Sequence, residues 1–443
     1  MKYILRDFQA SSVDKAVEYI RGTSVRKPLI IAPTGAGKSL MIADLAARLE
    51  GSIIVLQPSK ELLKQNHAKY LSYGNDAAIY SASLGSKEIG HVTFATIGSI
   101  KKEHAYFKIH KPEVILVDEA HLQSKHGSAL AEFIKKIGVT KVIGYTATPI
   151  ELRQGLEGSY LQMINRSRKN MFNDIIHVTQ ISHMVDKNFW SPIEYVQRKV
   201  NNGELRLNTS GSDYTLESIK SHYTNNDLNV KIEDEVRILL NEEKRRNVLV
   251  FVPSILEAEV LKQKIVGAET VHSKLPTKER DRIIKGFLKG EIKVVINVNV
   301  LAVGFDFPEL DSIILARATK SFAIYYQQAG RGVRIHPGKE NIKIVDLVGN
   351  IERFGKLENI EFREKKGLWG MYVNTRKLTA GLEHAPPLPS SSSLFWFGKY
   401  NGIPTQEISR IYLETFCQEF EAKTPEGKIL LNKVSKYLDN NKN

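Results

Sequence analysis

The 443-residue sequence predicts an α/β protein with two parallel-sheet domains in tandem and a small helical segment at its carboxyl end. First, short apolar runs alternate with amphipathic stretches from Pro28 to Thr146, which is typical of buried parallel strands joined by helices. Second, the same alternation begins again at Asn247. Third, a Pro- and Ser-rich stretch near the end has the composition of a semi-extended linker. We therefore expect two α/β domains at 1–180 and 181–385, a linker at 386–393 and a helical accessory segment at 394–443.

The apolar runs locate the individual strands. In the first domain they are PLIIAP, SIIVLQ, HVTFAT, EVILVD and KVIGYT, and in the second NVLVFV, KVVINV, DSIILA and NIKIVDL. Helical periodicity is expected at 255–264 and 278–288. Residues 151–245 are polar and weakly periodic, and their stretch VNNGELRLNTSGSDY predicts an exposed loop or hairpin. The boundary between the two domains is expected within this region.

Composition and charge limit the class of protein. Hydrophobic residues make up 42% and charged residues 25% of the chain, which is enough apolar material for sizeable cores. The 63 Lys and Arg against 49 Asp and Glu leave a formal charge of +14, which fits a polyanionic partner, either nucleic acid or an acidic membrane surface. Cys417 is the one cysteine, so an intramolecular disulfide and a multi-cysteine zinc site are excluded. The sequence shows neither a signal-peptide core nor an apolar run of about 18 residues, and we expect a cytoplasmic protein that does not span a membrane.

A phosphate-binding loop is predicted where the first strand meets the helix that follows it. Its glycines let backbone N–H groups close around phosphates, Lys38 reaches the β and γ oxygens, and the Ser39 hydroxyl is placed for Mg²⁺. A plain glycine turn is the alternative, but it leaves the adjacent Lys-Ser pair unexplained. The residues that would bind nucleotide here are Thr34, Gly35, Ala36, Gly37, Lys38 and Ser39, preceded by Ala32 where a glycine is usual.

A pair of carboxylates follows another buried strand. The run EVILV ends in Asp118 and Glu119, at the strand end where ligands gather in doubly wound sheets. Asp118 is expected to hold Mg²⁺, and Glu119 to orient and deprotonate the attacking water, because hydrolysis needs one carboxylate on the metal and one left for the nucleophile. Acidic residues at strand ends are often only solvated or capping a helix. The pair therefore indicates a hydrolytic site because the sequence also contains the phosphate loop.

Six motifs in order resemble those of superfamily 2 helicases and translocases. The resemblance covers about residues 1–350 and implies two RecA-like domains with an ATP cleft between them. Within the superfamily, the sequence is similar to the DNA-directed group that contains branch-migration enzymes, excision-repair helicases and restriction motors. Its second motif is of the DEAH type, and its compact length resembles that of phage branch-migration helicases of the UvsW kind. The motifs are LRDFQ (5–9), the phosphate loop, DEAH (118–121), YTATP (145–149), GFD (304–306) and QQAGRGVR (327–334).

Carried over to this chain, the resemblance implies roles for further residues. Gln9 would read the adenine edge, with Arg6 beside the base; a surface helix start is the alternative for both. Arg331 and Arg334 would reach from the second domain to the γ-phosphate, and such a finger contributes a factor of ~10³ to 10⁵ in rate. The remaining residues concern nucleotide sensing and coupling to domain closure: Gly304, Asp306 and Gln327 for the nucleotide and the domain interface, and His121, Thr146 and Thr148 for coupling.

Candidate contacts to a nucleic-acid strand lie after strands of both domains. Hydroxyls, amides and helix N-termini suit phosphate contacts, which position a strand without reading its bases. Ser59 could equally cap the helix that follows it, and Asn299 is an alternative to Asn297. The aromatic and basic run LFWFGKY (394–400) could stack on bases, but a small helical core is the favoured interpretation. The candidate contacts are Ser59, Lys60, Thr96, Pro253, Ser254 and Asn297.

The favoured function is an ATP- and Mg²⁺-dependent DNA helicase acting on forked or branched DNA. A duplex translocase that does not separate strands is one alternative, and RNA unwinding is another. A nucleotide-dependent clamp without enzymatic activity would be expected to lose Lys38, Glu119 or Arg334, and all three are present.

Overall fold

The structure is a computed structural model that describes residues 4–155, 158–167, 169–201, 205–209, 213–301 and 307–379, together with short pieces of 394–439. The chain divides into two compact units, residues 1–380 and 381–443. The first unit contains two large, mainly parallel sheets of eight and six strands, a three-stranded antiparallel sheet and a two-stranded antiparallel hairpin. The second contains a short antiparallel pair, β20 (Leu394–Phe395) with β21 (Ile403–Pro404), and helical residues between 413 and 439.

The first sheet has eight strands in the order β10-β1-β7-β6-β2-β5-β3-β4, parallel except for β4. Its central strands are buried on both faces because helices cover both, which is why they appear in the sequence as continuous apolar runs. A separate hairpin, β8–β9, follows β7. The strands are β1 (Pro28–Ile31), β2 (Ile53–Gln57), β3 (Ala78–Ser81), β4 (Ser86–Lys87), β5 (Val92–Thr96), β6 (Val114–Val117), β7 (Lys141–Thr146), β8 (Ile150–Gly155), β9 (Gly158–Met163) and β10 (Asp174–Val178).

Seven α-helices lie in the described residues up to Asp186. α6 shows how local sequence sets their limits: the Ser128 hydroxyl accepts from the Ala131 N–H at its start, and Gly138 ends it with φ 79°. The helices are α1 (Asp7–Arg21), α2 (Lys38–Arg48), α3 (Lys60–Leu71), α4 (Ile97–Ile100), α5 (His104–Ile109), α6 (Ala129–Ile137) and α7 (Ile181–Asp186).

The second sheet has six parallel strands in the order β11-β16-β15-β12-β14-β13. The strands are β11 (Ile193–Gln197), β12 (Val248–Phe251), β13 (Ala268–Val271), β14 (Val294–Asn297), β15 (Ser312–Leu315) and β16 (Ile342–Asp346). The helices are α8 (Leu216–Asn225), α9 (Leu228–Arg237), α10 (Ile255–Lys264), α11 (Thr277–Leu288), α12 (Phe322–Ala329) and α13 (Asn350–Phe354), with a π-helical turn at Ile238–Glu242. An antiparallel sheet of β17 (Ile360–Lys365), β18 (Leu368–Val373) and β19 (Arg376–Lys377) follows.

Two hydrophobic cores support the two parallel sheets. One continues from the first sheet through Trp190 to one face of the second sheet, where it includes Ile313 and Tyr326. The other covers the opposite face of the second sheet and includes Val250 and Ile314. Because neighbouring residues of a strand point to opposite faces, Ile313 and Ile314 belong to different cores. The described helices include none that is both long and apolar enough to cross a bilayer.

The predicted fold class is confirmed, and each apolar run forms a strand. The strands β3, β4, β10, β11 and β13 were not predicted, nor were the β8–β9 hairpin and the β17–β19 sheet. The first sheet ends at Val178 and the second begins at Ile193, so the chain crosses between the sheets at 179–192. In the stretch expected to be a loop or hairpin, Leu207 and Tyr214 form an antiparallel bridge. The expected linker at 386–393 lies outside the described residues.

Candidate nucleotide site

The phosphate-binding loop turns sharply between β1 and α2. Gly35 and Gly37 have φ values of 77° and 82°, in the left-handed region that favours glycine. A Cβ on Gly37 would also come within 2.5 Å of the Gln9 Nε2 atom. Lys38 is the first residue of α2. The N–H groups of the loop and of the first turn of α2 therefore lie together, as in an anion-binding helix N-terminus. The geometry therefore offers the anion-binding backbone that the sequence predicts.

Gln9 is held against this loop. Its Nε2 donates to the Ala36 carbonyl at 2.7 Å, and its Oε1 accepts from the Arg6 N–H at 2.9 Å. Its side chain is buried, so it is not a surface residue at a helix start. The Arg6 guanidinium lies 3.6 Å from the centre of the Phe189 ring, a cation–π contact. Arg6 and Gln9 thus lie together at one end of the loop.

Ser39 and Asp118 are connected through Asn66, a residue of α3 that the sequence analysis did not select. The Ser39 hydroxyl donates to the Asn66 Oδ1, and the Asn66 Nδ2 donates to the Asp118 Oδ2 at 3.0 Å. Asn66 is 1% exposed. The two predicted metal ligands therefore lie one amide apart, with their orientations set by the same side chain.

Glu119 occupies a strongly polar position beside Asp118. Its Oε1 lies 3.7 Å from the Lys38 Nζ. Burial raises the pKa of Glu119, but the charges of Lys38 and Arg331 outweigh burial and hold that pKa below its ordinary value. Burial and the neighbouring Glu119 carboxylate raise the pKa of Asp118 to about 6. The two adjacent carboxylates are therefore distinct in acidity, as two different roles require.

The backbone at Glu119 is in the left-handed region, with φ 46° and ψ 47°. For a residue with a Cβ this conformation costs about 1–2 kcal/mol. Such strain is concentrated at functional sites, where the surrounding structure keeps it. The Glu119 N–H donates to the Asp118 Oδ1 at 2.9 Å, which stabilises this turn.

A chain of polar contacts leads from Glu119 to the second domain. The His121 Nδ1 lies 3.5 Å from Glu119 and 2.9 Å from the Thr146 hydroxyl, which also accepts from the Thr148 N–H at 3.0 Å. Burial lowers the pKa of His121, so its imidazole is neutral near pH 7. On its other side, the His121 Nε2 lies 3.5 Å from the Gln327 Nε2. The residues expected to couple hydrolysis to domain closure are therefore joined to each other.

The second domain meets the phosphate-binding loop directly. The Tyr326 hydroxyl accepts from the Thr34 N–H at 3.2 Å. A Cβ on Gly35 would lie 3.7 Å from the Arg334 Cγ, and Arg331 is close enough to lower the pKa of Glu119. Both predicted arginines thus lie at the loop, within the same compact unit.

Lys339 and Ser191 hold the segment that contains Arg331 and Arg334 through hydrogen bonds to the main chain of that segment. The Lys339 ammonium donates to the carbonyls of Gly332, Arg334 and Pro308, the last two at 2.9 and 3.2 Å. Burial lowers the pKa of Lys339 to about 7. The Ser191 hydroxyl donates to the Arg334 carbonyl at 2.9 Å, and its N–H to the Val333 carbonyl at 2.8 Å.

The residues present fit Mg²⁺ and the phosphates of ATP. Mg²⁺ prefers hard oxygen ligands and keeps several waters, so a hydroxyl and one carboxylate suit it when phosphates complete the shell. Ser39 and Asp118 supply this pair and are already linked through Asn66. Among the described residues there is no cluster of three or more His, Cys, Asp or Glu side chains that could hold another kind of metal.

The candidate nucleic-acid contacts lie at the carboxyl ends of paired strands. Ser59 and Lys60 follow β2, and Thr96 ends its neighbour β5. The Ser59 hydroxyl caps α3 by accepting from the Leu62 N–H at 3.3 Å. The Lys60 Nζ lies 4.0 Å from the Glu61 Oε1, and the hydroxyls of Thr96 and Ser99 are hydrogen-bonded at 3.0 Å. A serine or threonine hydroxyl in such a bond has further capacity for a phosphate.

In the second domain Pro253 and Ser254 follow β12 and Asn297 ends β14, and these two strands are also neighbours. The Ser254 hydroxyl donates to Glu257, and Pro253 is buried. Asn297 is fully buried, and its Oδ1 accepts from the N–H groups of Val300 and Leu301. The Asn297 side chain is therefore buried, and its amide oxygen shapes the loop that follows β14. Gly304 and Asp306 lie outside the described residues.

The sequence analysis did not select several residues of this site, among them Trp190, whose Nε1 donates to the Thr34 carbonyl at 2.9 Å. They are Asn66, Phe189, Trp190, Ser191, Tyr326 and Lys339. Each lies outside the six motifs, and only its contacts reveal its place. A weak signal exists for Trp190, because it is a large apolar residue in the polar region between the domains. Asn66 and Lys339 occur among many other polar residues and carry no such signal.

Two protein-family models match this chain. Residues 2–151 match the type III restriction enzyme res subunit, and residues 230–336 match the helicase conserved C-terminal domain. These ranges cover most of the first domain and the centre of the second, including the loop, the two carboxylates and both arginines. The two models thus match the two parallel-sheet domains that form the site.

Individual relatives are similar over most of this chain. A Saccharomyces cerevisiae protein that carries the name ATP-dependent helicase IRC3 is 25% identical over 78% of this chain and 52% of its own length. A 51.5 kDa protein of a Lactococcus phage is 26% identical over 74% of this chain and 67% of its own. The chain therefore spans about half to two thirds of the length of these relatives.

Solved structures show the same fold at lower identity. The DNA-bound type ISP restriction-modification enzyme LlaBIII is 17% identical, with a TM-score of 0.56 over 79% of this chain and 28% of that chain. Saccharomyces cerevisiae Dbp5 bound to RNA and ADP BeF3 is 18% identical, with a TM-score of 0.51 over 77% of this chain and 83% of that chain. Both likenesses concern the tandem RecA-like architecture.

Proposed function

We propose that this chain, a superfamily 2 helicase by its two conserved domains, couples ATP hydrolysis to movement along DNA. One observation carries the proposal: the second domain brings Arg331 and Arg334 to the loop and carboxylates of the first. A site completed by two domains is assembled and opened as they move relative to each other, which links hydrolysis to mechanical work.

In the proposed chemistry each residue has a task. The phosphate loop and Lys38 hold the β- and γ-phosphates, and Ser39 and Asp118 hold Mg²⁺, which neutralises charge on the phosphate oxygens. Glu119, kept ionised by Lys38 and Arg331, orients the water and takes its proton. Arg331 and Arg334 stabilise the charge of the transition state. Gln9 and Arg6 bind the adenine.

DNA is the proposed track. The +14 charge favours a polyanion. Strand ends of both domains carry hydroxyls that suit phosphate contact: Ser59 and Thr96 in the first domain, and Ser254 in the second. Resemblance to the DNA-directed branch of the superfamily favours forked or branched DNA and strand separation or branch migration. One alternative is translocation on duplex DNA without strand separation. The other is RNA unwinding, which is considered because Dbp5, a protein of similar fold, is bound to RNA in its structure.

The test compares ATPase rate and strand displacement on matched substrates. Single-stranded DNA, duplex, fork, four-way junction and an RNA duplex of the same sequence are each added at equal nucleotide concentration, with Lys38→Ala as the inactive control. DNA-stimulated ATPase with displacement of forks or junctions is expected. Stimulation without displacement, combined with displacement of a triplex-forming strand, identifies the duplex translocase. Stimulation by RNA alone, or by neither polymer, contradicts the proposal.

A further inference from the structure

The chain crosses between the two parallel sheets through three consecutive residues that contact three different parts of the candidate site. We name Phe189, Trp190 and Ser191 the crossing segment. It lies between α7, which ends at Asp186, and β11, which begins at Ile193. The Phe189 and Trp190 N–H groups both donate to the Met184 carbonyl, at 2.7 and 3.2 Å, which fixes the segment to the end of α7.

Each residue of the crossing segment reaches a different element. The Phe189 ring lies against the Arg6 guanidinium, at the adenine end of the loop. The Trp190 Nε1 donates to the Thr34 carbonyl at 2.9 Å, inside the phosphate loop. Ser191 donates through its N–H to Val333 and through its hydroxyl to Arg334, in the arginine segment.

Burial and packing make these contacts stiff. Trp190 and Ser191 are each 3% exposed. Trp190 forms an isolated antiparallel bridge with Arg334. A Cβ on Gly35 would lie 3.6 Å from the Trp190 Nε1, so the indole lies against the loop itself. A displacement of the Arg334 main chain is therefore passed by Trp190 to Thr34, because close-packed groups do not move independently.

We propose that the crossing segment is a positioning element that couples the phosphate loop to the two arginines. Through it, nucleotide in the loop changes the position of Arg334, and the arrival of Arg334 changes the loop. Such coupling is reciprocal, so both directions can be measured. The inference rests on the proposed ATPase but adds residues outside the six motifs.

Tryptophan emission tests the coupling without a measurement of turnover. The sequence has three tryptophans, Trp190, Trp369 and Trp396. In the full chain carrying Trp369→Phe and Trp396→Phe, Trp190 is the one emitter. A saturable change in its emission is expected on titration with ADP or a non-hydrolysable ATP analogue. In the same background, Arg334→Ala is expected to reduce the change obtained with the ATP analogue more than the change obtained with ADP. An emission that does not respond to either nucleotide overturns the proposal.

Kinetics give the second test. Trp190→Phe keeps an aromatic ring but removes the N–H donor, and Ser191→Ala removes the hydroxyl. Each is expected to lower kcat about five-fold with little change in the KM for ATP, as the loss of one hydrogen bond predicts. In the double variant kcat should fall by less than the product of the two single-variant factors, because both residues act within one coupled segment. Trp369→Phe, on β18, is the matched control and should retain wild-type values.

The outcomes separate this inference from the proposed function. Suppose that the wild-type chain hydrolyses ATP, that both single variants have its kcat, and that their effects on kcat are additive in the double variant. The coupling is then contradicted, and the proposed ATPase activity remains. If the wild-type chain has no ATPase, the proposed function fails, and the emission titration still decides the coupling. If Trp190→Phe melts at a much lower temperature than the wild type, Ser191→Ala and the emission titration decide.

Discussion

In the first domain, Ser39, Asn66 and Asp118 are joined side chain to side chain, whereas in the second domain Lys339 and Ser191 hold the segment around Arg334 by its carbonyl groups. The first arrangement fixes the orientation of functional atoms directly. The second fixes the main chain of the segment from which the arginine side chains extend. The difference suits a site in which metal ligands must be preorganised and the arginines must approach the transition state.

The largest effect is expected at the arginines. Arg331→Ala or Arg334→Ala should lower kcat by ~10³ or more while affinity for an ATP analogue is retained, because charge stabilisation is lost but the first domain is unchanged. Arg282→Ala is the control, since Arg282 is a half-exposed arginine of α11. Steady-state ATPase and analogue binding check this. Weaker analogue binding at unchanged kcat would show that the arginines act in ground-state binding.

Glu119→Gln should give the next largest effect. The amide keeps the size of the side chain but cannot accept the proton of water, and kcat is expected to fall by ~10² to 10⁴ with ATP still bound. Glu132→Gln, on the exposed face of α6, serves as the control. Single-turnover hydrolysis measures the step. Turnover within two-fold of wild type would remove Glu119 from the role of base.

Asn66→Ala should act through the metal. With the shared amide removed, Ser39 and Asp118 lose their common orientation, and the Mg²⁺ concentration for half-maximal ATPase should rise ~10- to 100-fold. Gln65→Ala, the exposed neighbour on α3, should leave it unchanged. In the wild type the Mg²⁺ requirement should also rise below about pH 6, where Asp118 takes up a proton. An Asn66→Ala variant with a wild-type Mg²⁺ titration would restrict Asn66 to packing.

The smallest effect, and the one that tests main-chain control, is expected at Lys339. As pH rises through about 7 its ammonium loses a proton and one of three donors, so kcat should fall several-fold. Stability should move the other way: the unfolded chain binds the proton up to about pH 10.4, so the free energy of unfolding rises with pH across this range. Both trends should vanish in Lys339→Met, and Lys339→Arg should keep kcat constant with pH. Identical pH profiles of kcat in wild type and Lys339→Met would contradict the role.

Much of the fold was predictable because its signals are local. Strands buried on both faces are continuous apolar runs, so β1, β2 and β5–β7 could be located from sequence alone. The short strands β3 and β13 escaped prediction because four residues with mixed burial do not differ from an extended loop. The β17–β19 sheet escaped because alternation in β17 covers only Ile360 to Arg363 and is followed by two exposed charged residues, Glu364 and Lys365.

The sequence by itself determined the chemistry of the site, because the phosphate loop and the two carboxylates are runs of adjacent residues whose spacing is set by the chain. Tertiary structure alone decided which distant residues position them. Trp190 and Thr34 are 156 positions apart, and Asn66 and Asp118 are 52 apart. Their hydrogen bonds depend on strand order and on how the second domain meets the first. The burial of Asn297 was decided in the same way. Exposure is a property of packing, and a residue's type does not reveal it.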